Sequence, residues 1–306
     1  MSLAFLCPGQ ASQKVGMGLD IYNKTDLGKD FFSQANQIMN EDIQSIIFNG
    51  PEEKLKETQY TQPAIYIVSV LIGKLLIENG VKPSCAAGHS LGEYSALTLA
   101  ESFDFETGLR IVKIRAKEMQ KAGNNTKGTM AAVLGLEDNI VSEICKSNNE
   151  GIVVAANYNA KGQVVISGEI KSVKNVMKKM LKAGASKTIE LKVSGAFHSP
   201  LMISAKEKLT QELLSIDIKD SKIPIYNNVS SKPLNKSSDI QQSLIDQLDH
   251  PVKWHQSITN MISDGVKTAL EVGPGRVLKG LSRRIDRSLD MISVESHEEI
   301  VNFQYV

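Results

Sequence analysis

Residues 85–97 read CAAGHSLGEYSAL. Cys85 to Ala87 is a short apolar run suited to a buried strand, and the small-residue stretch after it reads as helix. Between them, Gly88-His89-Ser90-Leu91-Gly92 fits G-x-S-x-G, the pattern of a serine held on a sharp strand-to-helix turn. Such a serine has strained backbone geometry and needs small neighbours, which the two glycines supply. The helix that begins just after it leaves N–H groups unpaired and facing the serine, where they stabilise negative charge. Five-residue patterns of common residues also arise by chance. The strand before, the helix after, and Ser95, Ala96 and Ala100 along that helix favour a nucleophile.

Outward from this stretch the chain reads as an α/β fold. Leu3 to Cys7 is a buried strand ended by Pro8-Gly9, and Ala64 to Glu78 is a largely buried helix stopped by Asn79-Gly80. Near the C-terminus, GVKTALEVGPGRVLKGLSRRI reads as strand, glycine turn and helix. Gly273 and Gly275 lack the spacing of a dinucleotide or Walker loop, so a plain turn is expected.

The middle of the chain changes character. Strands are expected at Thr129 to Leu136, Ile152 to Asn157, Gln163 to Ser167 and Lys187 to Val193, with the turn-like NYNAKG between the second and third. Helices are expected at Glu137 to Ser147 and Ile170 to Ala183. The order βαββαβ is the ferredoxin-like pattern. It suits an inserted subdomain over 127–197, with a larger domain formed by 1–126 plus 198–306. Ser199-Pro200 then supplies an N-cap and first-turn proline for a helix reaching about Ile216.

The chain has 306 residues, 42% hydrophobic and 23% charged, with a formal net charge of +1. That balance offers no global field for nucleic acid or a membrane surface. Cys7, Cys85 and Cys145 are far apart and lack metal-ligand spacing, which reads as buried, reduced thiols. The N-terminus lacks a signal-peptide pattern, and the apolar run Ala64 to Ile77 is shorter than the roughly 20 residues that span a bilayer. A cytoplasmic enzyme without a metal is the expectation.

A serine nucleophile needs a base. Of the five histidines, His89 sits inside the elbow and should point away from Ser90. His297 lies in a charged, solvated stretch, and His250 and His255 flank Pro251 and Trp254 as packing or capping residues. His198 follows a strand in the loop SGAFHSP, where catalytic groups gather in α/β folds. Between Ser90 and His198 the only aspartates are Asp104 and Asp138, neither at the end of a convincing core strand. A Ser–His pair oriented by something other than a carboxylate, such as a backbone carbonyl, is therefore expected.

The helix from about Glu106 to Lys121 places Arg110, Lys113, Lys117 and Lys121 on one solvated stripe. Arg115 falls on the opposite side, beside Ile111, Val112 and Met119. A guanidinium turned into an apolar face needs an anion. Either an internal salt bridge supplies it, or Arg115 is a clamp for a substrate carboxylate.

Long motifs in order along the whole chain resemble the malonyl-CoA:acyl carrier protein transacylases of type II fatty acid synthesis and the related polyketide synthase acyltransferase domains. They are PGQASQKVGMG, TQPAIY, GHSLGEYSAL, IRAKEMQ, GQVVISG, GAFHSPLM, QLDHPVKW and EVGPGRVLKGL. The resemblance implies an α/β-hydrolase-like large domain with a ferredoxin-like insertion. It implies acylated Ser90, base His198, oxyanion donors at the backbone N–H groups of Gln10 and Leu91, and a carboxylate clamp at Arg115. It also implies that the Gln247 main chain orients the histidine. Phe197 resembles the residue of malonyl-using members, against a smaller one in methylmalonyl-using relatives. Lys187 and Arg283 match basic positions that meet carrier protein or CoA. Ala11 departs from a usual glycine. The implied reaction is ping-pong malonyl transfer from malonyl-CoA to acyl carrier protein with no metal or redox cofactor; a monomer with no nucleic acid or membrane partner is expected beside it. The rival readings are a trans-acting polyketide acyltransferase, a thioesterase-like hydrolase and a silent docking module.

Overall fold

The computed structural model describes residues 2–304. Among the described residues ten strands form two sheets: β1 (Ser2–Cys7), β2 (Cys85–Gly88), β3 (Gly128–Leu134), β4 (Val153–Ala160), β5 (Gln163–Glu169), β6 (Lys187–Glu190), β7 (Ile225–Tyr226), β8 (Pro233–Leu234), β9 (Val266–Val272) and β10 (Asp290–Val294).

The larger sheet runs β10-β9-β1-β2-β7-β8. All its pairings are parallel except β7 with β8. Helices cover both faces, so β1 and β2 are buried throughout their interiors and read as continuous apolar runs rather than alternating ones. In the β1–β2 pair, Cys7 lies opposite Gly88. That register brings the loop Pro8-Gly9-Gln10 and the turn His89-Ser90 to the same carboxyl edge, where open α/β sheets place their ligands.

The helix Thr58–Glu78 packs along Phe105–Asn125 in the core of this domain. It begins six residues before the expected Ala64, with Pro63 inside it. A proline so near a helix start leaves few intrahelical bonds to break. Its 21 residues are long and apolar enough to cross a membrane by composition, yet the helix is mostly buried within the protein.

The smaller sheet is antiparallel in the order β4-β5-β3-β6, the ferredoxin-like arrangement expected from βαββαβ. Alternation along β3 divides its side chains between two cores. Ala131 and Val133 meet the helices Asp138–Lys146 and Ile170–Lys182, whereas Met130 and Ala132 join the core of the large domain. Two expectations fail in detail. Tyr158 to Ala160 continue the strand rather than turning, because register shifts at Ala155/Asn157 and Tyr158/Ala160 fit extra residues into the ladder. β6 stops at Glu190, short of Val193. After Ser199, whose Oγ accepts from Leu201 N at 3.3 Å, a 3-10 turn Pro200–Met202 precedes the helix Ile203–Ser215.

Candidate active site

Ser90 has φ 52°, in the left-handed region that side chains with a Cβ seldom occupy. Its two glycine neighbours are sterically obligatory. A Cβ on Gly88 would run into the Gly92 backbone, and one on Gly92 into the Cys7 carbonyl. The strained turn is braced by Asn228, whose Oδ1 accepts from Ser90 N at 2.6 Å while its Nδ2 donates to Gly88 O at 2.7 Å.

His198 also has a positive φ, 56°, and Nε2 lies 2.8 Å from Ser90 Oγ. Its Nδ1 is 2.9 Å from the main-chain oxygen of Gln247. A carbonyl only accepts, so Nδ1 carries the proton and Nε2 is free to accept from the serine. Gln247 ends the helix Ser237–Gln247, where carbonyls are left without helical partners. This carbonyl stands where a triad would place a carboxylate. Asp104 instead caps the helix Phe105–Asn125, and Asp138 opens another helix. Burial, and then the charge of Arg115, push the His198 imidazole down to about 3, so it is neutral.

The other histidines lie elsewhere. His89 Nε2 is 2.8 Å from Asn159 Oδ1, and His250 bonds locally to Asp246 and Asp249. His255 lies 3.7 Å from Asp138, and His297, half-buried rather than solvated, opens the last helix.

Arg115 is 0% exposed. Nη1 donates to Gln62 Oε1 at 2.7 Å, and Nη2 to Gln247 Oε1 at 2.9 Å and to Ser90 Oγ at 3.0 Å. The guanidinium sits 5.3 Å from the centre of the Tyr94 ring, and Nε has no partner. No carboxylate forms an ion pair with it among the described residues, so the internal salt bridge is not found. The hydrogen-bond partners of this buried cation are all neutral oxygens, Ser90 Oγ among them, and the Glu93 carboxyl acts on it only through space.

These groups open onto a cavity of about 240 Å³, lined by Gln10, Ser90, Leu91, Arg115, Phe197 and His198 among others. The backbone N–H groups of Gln10 and Leu91 make no backbone hydrogen bond among the described residues, and both residues line the cavity. Met130, Asn157 and Val165 from the smaller sheet also line it. Ala11 has φ 86°, so the departure from glycine falls where glycine is favoured, at a strain of about 1 kcal/mol. Lys187 and Arg283 are exposed and do not line the cavity. A larger open hollow of about 520 Å³ between Lys74, Glu101, Asp217 and Lys219 brings no histidine or cysteine to its walls.

Three buried residues were not foreseen from sequence: Gln62, Glu93 and Asn228. Gln62 lies in a polar segment just before the apolar run that starts at Ala64. Glu93 resembles an ordinary first-turn acid, and Asn228 sits in a polar run that resembles loop.

The acyl transferase domain family matches residues 4–297. The malonyl CoA-acyl carrier protein transacylase of Bacillus subtilis is 40% identical over 300 residues, 97% of this chain and 95% of that one. That of Escherichia coli K12 is 39% identical over 284 residues, 92% of each chain. Among solved structures, the malonyl CoA-acyl carrier protein transacylase of Coxiella burnetii superposes with a TM-score of 0.95 at 35% identity, covering 98% of this chain and 96% of that one. A complex of a type II polyketide acyl-carrier protein with its malonyl-transacylase matches at 0.94 and 36%, covering 98% of each chain. With likeness of this extent on top of the shared architecture, the chain belongs to the acyl transferase domain family, among its malonyl-CoA:acyl carrier protein transacylases.

Proposed function

We propose that the protein transfers malonyl from malonyl-CoA to the phosphopantetheine thiol of an acyl carrier protein through a malonyl-Ser90 intermediate. The observation that carries this reading is the Arg115 guanidinium, buried, without a carboxylate partner and 3.0 Å from Ser90 Oγ. A malonyl group esterified to Ser90 supplies the missing anion.

His198 Nε2 takes the hydroxyl proton as Ser90 Oγ attacks the thioester carbonyl. The tetrahedral oxyanion is held by the N–H groups of Gln10 and Leu91. The thiolate of CoA leaves with the proton from His198, and the carrier thiol then reverses the same steps. Arg283 is exposed on the helix Val277–Ile285, whose other side gives Leu278 and Leu281 to the cavity wall, which supports a role toward CoA or carrier. Lys187, on the smaller sheet, is assigned to the carrier surface on family position alone. The smaller unit is taken as residues 127–197. Three buried, unpaired cysteines accord with a cytoplasmic setting.

Steady-state kinetics with both substrates varied test the scheme. Parallel double-reciprocal lines support two half-reactions, and intersecting lines oppose them. A polyketide carrier as the acceptor is the second reading, favoured by the likeness to the complex with such a carrier. Comparing transfer rates to fatty acid and polyketide carriers separates the two.

A further inference from the structure

Glu93 lies in the first turn of the helix Gly92–Leu99 and is 1% exposed. Its Oε2 accepts from Asn228 N and from Gln247 Nε2, both at 3.0 Å. Neither partner is charged. Both partners lead directly to the reacting groups, one by each of two routes.

The first route runs through Asn228, whose side chain spans the elbow from Ser90 N to Gly88 O. The second runs through the Gln247 amide. The ionised carboxylate accepts and does not donate, so above its pKa only the NH2 end of that amide can face Glu93. Nε2 also reaches Ser90 O at 3.1 Å, and Oε1 is thereby turned to Arg115 Nη2 at 2.9 Å. A flipped amide would set donor against donor at the guanidinium. Gln247 further holds His198 through its main chain.

We propose that Glu93 is the positioning residue of this centre, fixing the Ser90 turn through Asn228 and fixing the acceptor face of Gln247 toward Arg115. The inference rests on the transacylase reading above. Burial pushes the Glu93 carboxyl up to about 7, while the bonds from Gln247 and Asn228 and the charge of Arg115 pull it back. Loss of such support loosens a site whose geometry must hold to a fraction of an ångström.

The test is single-turnover acylation of Ser90 by malonyl-CoA and by acetyl-CoA, read by quenched-flow mass spectrometry. Glu93→Ala is expected to lower the saturated rate about ten- to a hundredfold, with half-saturation moved less than about threefold. Its preference for malonyl over acetyl falls, because the Gln247 amide is free to turn. Glu93→Gln, which presents one acceptor oxygen in the same place, restores most of the rate. A wild-type rate in Glu93→Ala, or a Glu93→Gln no faster than Glu93→Ala, overturns the proposal. Should Glu93→Ala not fold, Asn228→Ala tests the first route, and a rate within about twofold of wild type there overturns it equally. Wild-type protein that never acylates would instead count against the functional reading.

Discussion

Arg115 Nη2 donates to Ser90 Oγ across 3.0 Å, so the buried cation touches the hydroxyl proposed to carry the acyl group. The same oxygen meets His198 Nε2 at 2.8 Å. A carboxylate on the incoming acyl group satisfies the guanidinium and draws it off the serine, whereas a neutral acyl group leaves it uncompensated.

Arg115→Ala is accordingly expected to lower kcat/KM for malonyl-CoA by about a hundredfold or more while acetyl transfer holds or rises. Steady-state assays with both thioesters decide this. An equal fall for both would make Arg115 a structural contact only.

His198 should be neutral across the ordinary pH range. Its depressed pKa has two main causes, desolvation and the facing charge of Arg115, with His89 a smaller cation-side influence. In 15N spectra of histidine-labelled protein, His198 keeps its neutral pattern, Nδ1 protonated, from pH 8 down to 5. Arg115→Ala moves its midpoint upward, because one of the groups opposing the imidazolium is gone. An ordinary midpoint near 6.5 in the wild type would contradict the assignment.

Glu93 titrates in the opposite sense. Its folded pKa, about 7, lies above the unfolded value, so its contribution to stability is fully present at low pH and is lost as pH rises through 7. The melting temperature of Glu93→Gln relative to wild type should therefore climb between pH 5 and pH 8. A difference that stays flat across that range would show that the carboxyl is not held at a raised pKa.

How much of this was legible in the sequence follows from what each residue depends on. Ser90 was readable because its turn makes a local steric demand on Gly88 and Gly92. Arg115 was readable because helical periodicity exposes a charge on the wrong face. His198 followed from its loop and from elimination. Gln62, Glu93 and Asn228 were not readable, since their partners lie 53, 154 and 138 residues away in sequence. Polar residues acquire such roles only once the fold buries them. NYNAKG misled for a related reason: asparagines favour turns locally, but Tyr158 N bonds Val252 O at 2.9 Å and Asn157 pairs with Val252, which holds the segment extended.

Phe197 precedes His198, is 6% exposed and lines the cavity. Phe197→Ala should raise kcat/KM for methylmalonyl-CoA relative to malonyl-CoA, since room opens for an α-methyl group. The same change should cost about 3 kcal/mol of folding stability. Competition between the two thioesters measures the ratio, and an unchanged ratio would remove Phe197 from substrate selection.

The central claim is that Ser90 carries malonyl in a form that waits for a thiol. Intact-mass measurement after mixing with malonyl-CoA alone should show one malonyl adduct on Ser90, absent from Ser90→Ala. The adduct should persist for minutes and discharge at once on adding holo acyl carrier protein. Rapid release of free malonate without an adduct, or an adduct that survives in Ser90→Ala, would contradict the account.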